Sequence, residues 1–262
     1  MTDRLSIFGF LGGKDVQARS IDGSTGNFGI LDQRQAMRWV HAEIAAWGGD
    51  KSRLLLFGQS VGAASVANHL VRPESWGLFS SAAMQSGAFA QWNSMTAESA
   101  QRTLEQVYSR TNCSSVECLV ALNYDTIRFQ GYNATSQCKY HTAWEPVVDG
   151  QELTHEVWEL VQMGKVAPVP ILMGTNANEG AIFTGVSPNA TAQEQAAWSA
   201  VQFGSENNEH LEALYPQVDF PSRSGFSSWW WVADRESTDQ GMLCPTLSAA
   251  HHISTRRYFV QE

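Results

Sequence analysis

Five residues, Gly58-Gln59-Ser60-Val61-Gly62, narrow the architectures open to this chain more than any other stretch. They follow the apolar run Leu54-Leu55-Leu56-Phe57 and open the small-residue helical stretch Ala63-Ala64-Ser65-Val66-Ala67. G-x-S-x-G between a strand and a helix is the setting of a nucleophile elbow. A serine there sits on a sharp, strained turn with its hydroxyl at the top of a sheet. Gly58 and Gly62 are expected to be required, because a side chain at either would collide with the neighbouring strand or helix. The helix that begins after Ser60 aims its unpaired N–H groups at any developing negative charge, and the Val61 N–H becomes an oxyanion donor.

The 262-residue chain is 43% hydrophobic and 16% charged, an ordinary globular balance with length for one large domain. Its net charge of −9 disfavours nucleic acid and anionic membranes as partners. The uncharged apolar runs are only a few residues long, so no membrane-spanning segment is expected. The first residues lack the basic start and apolar core of a signal peptide. Yet three N-x-S/T sequons occur, at Asn112, Asn133 and Asn189, and Cys113 and Cys118 lie close enough to close a small loop. Together these lean toward a secretory history. A secretory body without a secretory start is a first sign that the chain is incomplete.

Strand and helix patterns alternate along one domain without repeats. Leu5 to Phe10 is read as a buried strand, and 23–29 as a Gly/Ser/Asn-rich loop. Apolar residues at helical spacing (Met37, Val40, Ile44, Trp47) predict a helix over 32–47, ended by Gly48-Gly49. Strands are expected at 53–57, 82–84 and 169–173. Further helices are expected after Thr96, around Val157 to Gly164, over 193–202 and 209–214, and from Pro245 to about Thr255. Tyr258-Phe259-Val260 is read as the start of another strand. Strands separated by helices imply a mostly parallel sheet, buried on both faces.

A serine hydroxyl needs a histidine as general base and a carboxylate to orient that histidine. In the strand–elbow–helix class the chain order is Ser, then Asp/Glu, then His. After the strand ending at Met173 comes Gly174-Thr175-Asn176-Ala177-Asn178-Glu179-Gly180, which puts Glu179 in a loop at the sheet edge where an elbow also sits. Glu179 is the candidate acid. The histidines that follow it are His210, His251 and His252, and all three fall on predicted helices rather than on a loop after a strand.

Taken together, these segments resemble the type-B carboxylesterase family, which includes the cholinesterases. The resemblance runs from about Arg4 to the last residue, one partial domain over 4–262. It is specific in Arg4 to Leu11, in Asn27-Phe28-Gly29-Ile30-Leu31-Asp32-Gln33-Arg34, and from Trp47-Gly48-Gly49-Asp50 through Ser65. It stays good at Met84-Gln85-Ser86-Gly87, Pro146-Val147-Val148-Asp149-Gly150 and the Glu179 loop, and is weak over 88–140 and 184–235. It implies an α/β class, an incomplete α/β-hydrolase fold, with Ser60 as nucleophile and Glu179 as acid. It also implies Ser86 as a hydroxyl bonding near the acid, Trp92 as a wall of the acyl pocket, and a Cys113–Cys118 loop disulfide. The implied activity is carboxylic ester hydrolysis of a small molecule through an acyl-enzyme, in a secreted protein, with no metal or cofactor. Gln59 stands where many members carry Glu, which makes choline-like cationic substrates less expected.

Two departures follow from the same resemblance. The family's His-Gly-Gly-Gly-type oxyanion segment lies upstream of Leu5, and its catalytic histidine beyond Tyr258. Neither is in these residues, so this chain is expected to be a fragment that hydrolyses esters poorly by itself. Open sheet edges and exposed apolar faces are expected, and with them aggregation. The alternative is a non-catalytic adhesion or interaction protein similar to the family's neuroligin-like members.

Overall fold

Ser60 is placed by a strand that ends at it and a helix that starts from it. The structure, a computed structural model, describes residues 3–135 and 142–256. The chain divides into two compact units. One runs to Met173 and is taken up again from Ala249; the other is Gly174–Ser248.

In the first unit, α1 (Ser6–Phe10) and α2 (Lys14–Gln17) lead into α3 (Phe28–Glu43). Gly48, at φ 79°, closes the 3-10 turn that extends α3. The strand expected over 5–10 is therefore the helix α1. Six residues are too few for periodicity to separate strand from helix. The glycines decide it here: a Cβ on Gly9 would lie 2.1 Å from the Arg4 carbonyl oxygen, and one on Gly29 would lie 2.6 Å from the Phe10 ring. Bare glycines let α1 coil tightly and lie directly on α3.

Next come β1 (Leu55–Gln59), α4 (Val61–Leu70) and β2 (Ser81–Gln85). The strand expected at 53–57 starts two residues later, because Asp50 caps a 3-10 turn over Lys51–Arg53 by accepting from the Ser52 N–H. Then follow β3 (Met95–Thr96), α5 (Ala97–Thr111), α6 (Val116–Ala121) and α7 (Tyr124–Asn133). β4 (Val147–Val148), α8 (Val157–Gln162) and β5 (Ile171–Gly174) complete the run. Thr96 caps α5 by accepting from the Ser99 N–H, a cap legible in the sequence.

The central sheet has the order β1-β2-β5, and β1 pairs with β2 in parallel, Leu55 beside Ser81 and Gln59 beside Gln85. β3 and β4 form a separate parallel pair. Strands flanked by helices in this arrangement are an incomplete α/β-hydrolase fold. One sheet face is covered: Ala82 and Met84 of β2 pack with Val66, Ala67 and Leu70 of α4 and with Val157 and Leu160 of α8. The other face exposes Leu55 (55%), Phe57 (72%) and Leu172 (73%). Parallel sheets are normally buried on both faces, so this bare apolar face is the exposure the sequence led us to expect.

The second unit is helical, with α9 (Ala192–Phe203), α10 (Asn208–Leu214) and α11 (Ser228–Thr238). Buried Glu236 of α11 accepts from Ser199 Oγ (2.6 Å) and Gln195 Nε2 (3.1 Å) of α9. α11 passes through a π segment, Asp239–Leu243, straight into α12 (Cys244–Arg256). Pro245 thus lies in the first turn of α12, as expected, although the helix is continuous with the π segment before it. The π segment lies immediately before it, where its missing N–H would otherwise break an α ladder. The strand expected at Tyr258-Phe259-Val260 lies outside the described residues.

Candidate active site

Ser60 lies at φ 56°, ψ −123°, a conformation that favours glycine and that a serine adopts only under constraint. The constraint is visible on both sides. Its N–H donates to the Gln85 carbonyl at the end of β2 (2.9 Å), and its carbonyl accepts from the Ala64 N–H in the first turn of α4 (3.1 Å). The serine side chain makes no capping bond to its own helix. Its hydroxyl is therefore not spent on structure, and the half-buried side chain is presented at the strand-to-helix corner. Val61, the first residue of α4, is 69% exposed. Its N–H belongs to the first turn, where helical amides have no intrahelical acceptor.

The two elbow glycines differ. A Cβ on Gly58 would lie 2.2 Å from the Gly62 carbonyl oxygen, so only glycine fits there. A Cβ on Gly62 meets nothing within 4 Å. The expectation that both positions are sterically required holds for Gly58 and is corrected for Gly62.

Beside the elbow, the end of β2 carries a second strained run. Ser86 and Phe89 have φ of 56° and 53°, and Ser86 is buried. Gly87, at φ 150°, separates Ser60 from Trp92: a Cβ there would lie 2.7 Å from the Ser60 carbonyl oxygen and 2.7 Å from the edge of the Trp92 ring. The half-buried indole of Trp92 and the elbow thus share one small space. This loop is held from beneath by side chains that the sequence reading passed over. Asn93 Nδ2 donates to the Gly87 carbonyl (3.3 Å), and Asn68 Nδ2 to the Asn93 carbonyl (2.8 Å). Buried Arg72 donates to the side-chain oxygens of Asn68 and Asn27 (3.0 Å each). Burial lowers the Arg72 guanidinium to about 10, opposed first by Glu152. The signal in the sequence was Asn68, four residues after Ala64 on one stripe of α4, with Arg72 two residues past the helix end.

Glu179 opens a 3-10 turn, Glu179–Ile182, just past β5, and is 9% exposed. Its Oε1 accepts from the Asn176 N–H (2.6 Å). The Gly180 N–H donates to Thr238 Oγ1 of α11 (2.8 Å). Of the three histidines after Glu179, His210 is exposed on α10 and His251 is exposed on α12. His252 stacks edge-on against Trp158, ring centroids 5.4 Å apart. Each is on a helix, as the sequence implied. His69 on α4 is a different case. It is buried between Ser75 Oγ (2.9 Å) and Gln33 Oε1 (3.1 Å), and burial with the Arg72 and Arg34 charges pushes it down to about 3.

The Cys113–Cys118 disulfide is formed, Cα atoms 5.6 Å apart. Asn112, Asn133 and Asn189 are exposed. Among the described residues no helix is long and apolar enough to cross a membrane, and no group of three or more His, Cys, Asp or Glu could hold a metal ion.

The profile of the Carboxylesterase family matches residues 2–256. "Lipase 2" of Diutina rugosa is 33% identical over 213 residues, 75% of this chain and 37% of that protein. "Cholinesterase" of Mus musculus is 36% identical over 166 residues, 60% of this chain and 28% of that protein. "Neuroligin-2" of Rattus norvegicus is 33% identical over 208 residues, 78% of this chain and 24% of that protein. The chain thus spans well under half the length of these relatives.

Proposed function

This chain belongs to the carboxylesterase family, and on that premise we propose that Ser60 is the nucleophile of a carboxylic ester hydrolase with Glu179 as the acid of its triad. The observation that carries the reading is the elbow: a serine held at φ 56° between a parallel strand and a helix, its hydroxyl unspent on capping. Strain of this kind costs about 1–3 kcal/mol and persists where the surroundings enforce it.

In the proposed reaction Ser60 Oγ, its proton taken by a histidine base, attacks the ester carbonyl carbon. The oxyanion forms against the Val61 N–H at the positive end of α4. The alcohol leaves with the proton, and water then attacks the acyl-enzyme to free the acid. Trp92, sharing the space at Gly87, walls the acyl side, and Ser86 supports the acid. The substrate is a small carboxylic ester. Residues 4–262 are one partial domain of a secreted protein, with glycans on Asn112, Asn133 and Asn189.

His210, His251 and His252 all lie on helices, so these 262 residues by themselves are expected to turn over esters poorly. A missing triad member costs several orders of magnitude. The second reading, a non-catalytic interaction protein, draws on the likeness to Neuroligin-2; the intact elbow at Ser60 speaks against it.

The test is hydrolysis of p-nitrophenyl esters by the full-length gene product. Ser60→Ala and Glu179→Gln should each lower kcat by at least about a thousandfold. Undiminished turnover in Ser60→Ala would sink the proposal.

A further inference from the structure

The turn that carries Glu179 is not held by its own bonds alone. It lies on α11, and three contacts fix it there. Asp234 and Thr238 are four residues apart, so both point to one face of that helix. Thr238, fully buried, accepts the Gly180 N–H at 2.8 Å. Asp234, 1% exposed, faces the Asn178 side-chain amide, and with that amide turned so that Nδ2 points to α11 it donates to Asp234 Oδ2 at 3.0 Å and to the Ala177 carbonyl at 3.3 Å. Between these bonds the two backbones touch: a Cβ on Gly180 would lie 2.2 Å from the Asp234 carbonyl oxygen. The residues on either side of Glu179 are therefore both tied to α11. Glu179 itself closes the turn by accepting from Asn176.

Buried polar side chains cost free energy unless they are bonded. A carboxylate and a hydroxyl on a helix stripe shared with the buried Trp230 and Trp231 would weaken an ordinary packing surface. Here Thr238 meets the Gly180 N–H and Asp234 Oδ2 faces the Asn178 amide of one short turn, while Asp234 Oδ1 stays buried and unbonded among the described residues. The helix also changes to π geometry at Asp239, one residue past Thr238. Such a bulge resets the helix register without disturbing the stripe that precedes it, and bulges of this kind collect at functional sites.

We propose that Thr238 and Asp234 are positioning residues that set the Glu179 carboxylate through Gly180 and Asn178. The proposal rests on Glu179 being the triad acid. An acid orients its histidine only while its oxygens are held within a fraction of an ångström. α11 supplies that hold from 55 to 60 residues away in sequence.

The test uses Thr238→Val, which keeps the shape and removes the acceptor, Thr238→Ser, which restores it, and Asp234→Ala. Glu179→Gln is run in parallel. Two readouts are taken on the full-length protein: hydrogen exchange of the 174–183 segment, and kcat and KM for ester hydrolysis. Thr238→Val should speed exchange at Gly180 about tenfold, and Thr238→Val and Asp234→Ala should each lower kcat about tenfold at unchanged KM. Thr238→Ser should recover both. Wild-type kcat in Thr238→Val beside an inactive Glu179→Gln overturns the brace and leaves the acid standing. Full activity in Glu179→Gln removes the acid itself, and with it the brace's catalytic meaning, whatever the exchange rates. Where Asp234→Ala fails to fold, the Val/Ser pair at Thr238 decides alone.

Discussion

Alanine at the two elbow glycines should act in opposite directions. At Gly58 the new methyl would lie 2.2 Å from the Gly62 oxygen, 2.3 Å from its carbonyl carbon and 2.9 Å from the Ala63 nitrogen. Each of these is backbone, so no side chain can swing aside. The turn that carries them is pinned by the Ala64-to-Ser60 bond at 3.1 Å and by Ala63, Val66 and Ala67, all nearly inaccessible. Relief requires α4 to shift on β1. That places Gly58→Ala at the upper end of overpacking, a loss of about 3 kcal/mol.

At Gly62 a methyl meets open space in the first turn of α4. Alanine there removes unfolded-state freedom and improves helix propensity, a gain of about 0.5–1 kcal/mol. The variants should therefore differ by about 4 kcal/mol, close to a thousandfold in the folding equilibrium. Urea unfolding followed by tryptophan fluorescence reads this directly, since the chain has ten tryptophans. The Gly58→Ala midpoint should fall by about 1 M or more, and the Gly62→Ala midpoint should hold or rise. Coincident midpoints, or a Gly62→Ala variant as weak as Gly58→Ala, would refute the steric argument.

Two further outcomes follow from burial and exposure. His69 is pushed down to about 3 from 6.5, so as pH falls below 6.5 the unfolded chain takes up a proton that the folded chain refuses. Its stabilising contribution is present above 6.5 and is lost as pH falls toward 3. His69→Gln should flatten the pH dependence of the urea midpoint between pH 6.5 and 4, and an unchanged slope would assign the acid lability elsewhere. The bare face of Leu55, Phe57 and Leu172 should bind ANS and drive association. Phe57→Ser combined with Leu172→Thr should raise the monomer fraction on size-exclusion chromatography; a wild-type chain that already elutes as a monodisperse monomer would contradict this.

What the sequence made legible is what is settled locally. The elbow needs a strand, a glycine, a serine and a helix within about a dozen residues, and all of these can be read in order. The Thr96 cap, the helix closed at Gly164 and the helices at 192–203 and 208–214 have the same character, because their signals lie within their own bounds. Leu5 to Phe10 was misread because a short apolar run has no period of its own. Its conformation is decided by Gly29, on another element. The Trp229-Trp230-Trp231 run in α11 hides a helix for a related reason: three adjacent aromatics point in three directions and show no stripe.

The two halves of the proposed triad were legible to different degrees, and the structure gives the cause. Ser60 is held by bonds to Gln85 and Ala64, within 25 residues, and its strain is written into the motif. Glu179 lies in a turn with no such signature. What braces it in our proposal is Thr238 and Asp234, on a helix that lies mostly in a stretch, 184–235, where the resemblance is weak. A loop carboxylate becomes a fixed acid only through contacts of that range, and no local pattern encodes them. The proposed nucleophile can therefore be found from its own pentapeptide, whereas the proposed acid can be found only through the resemblance or through the fold. Substitutions on α11 should then loosen the acid while leaving the Ser60 elbow untouched, since none of the bonds that hold Ser60 involves that helix.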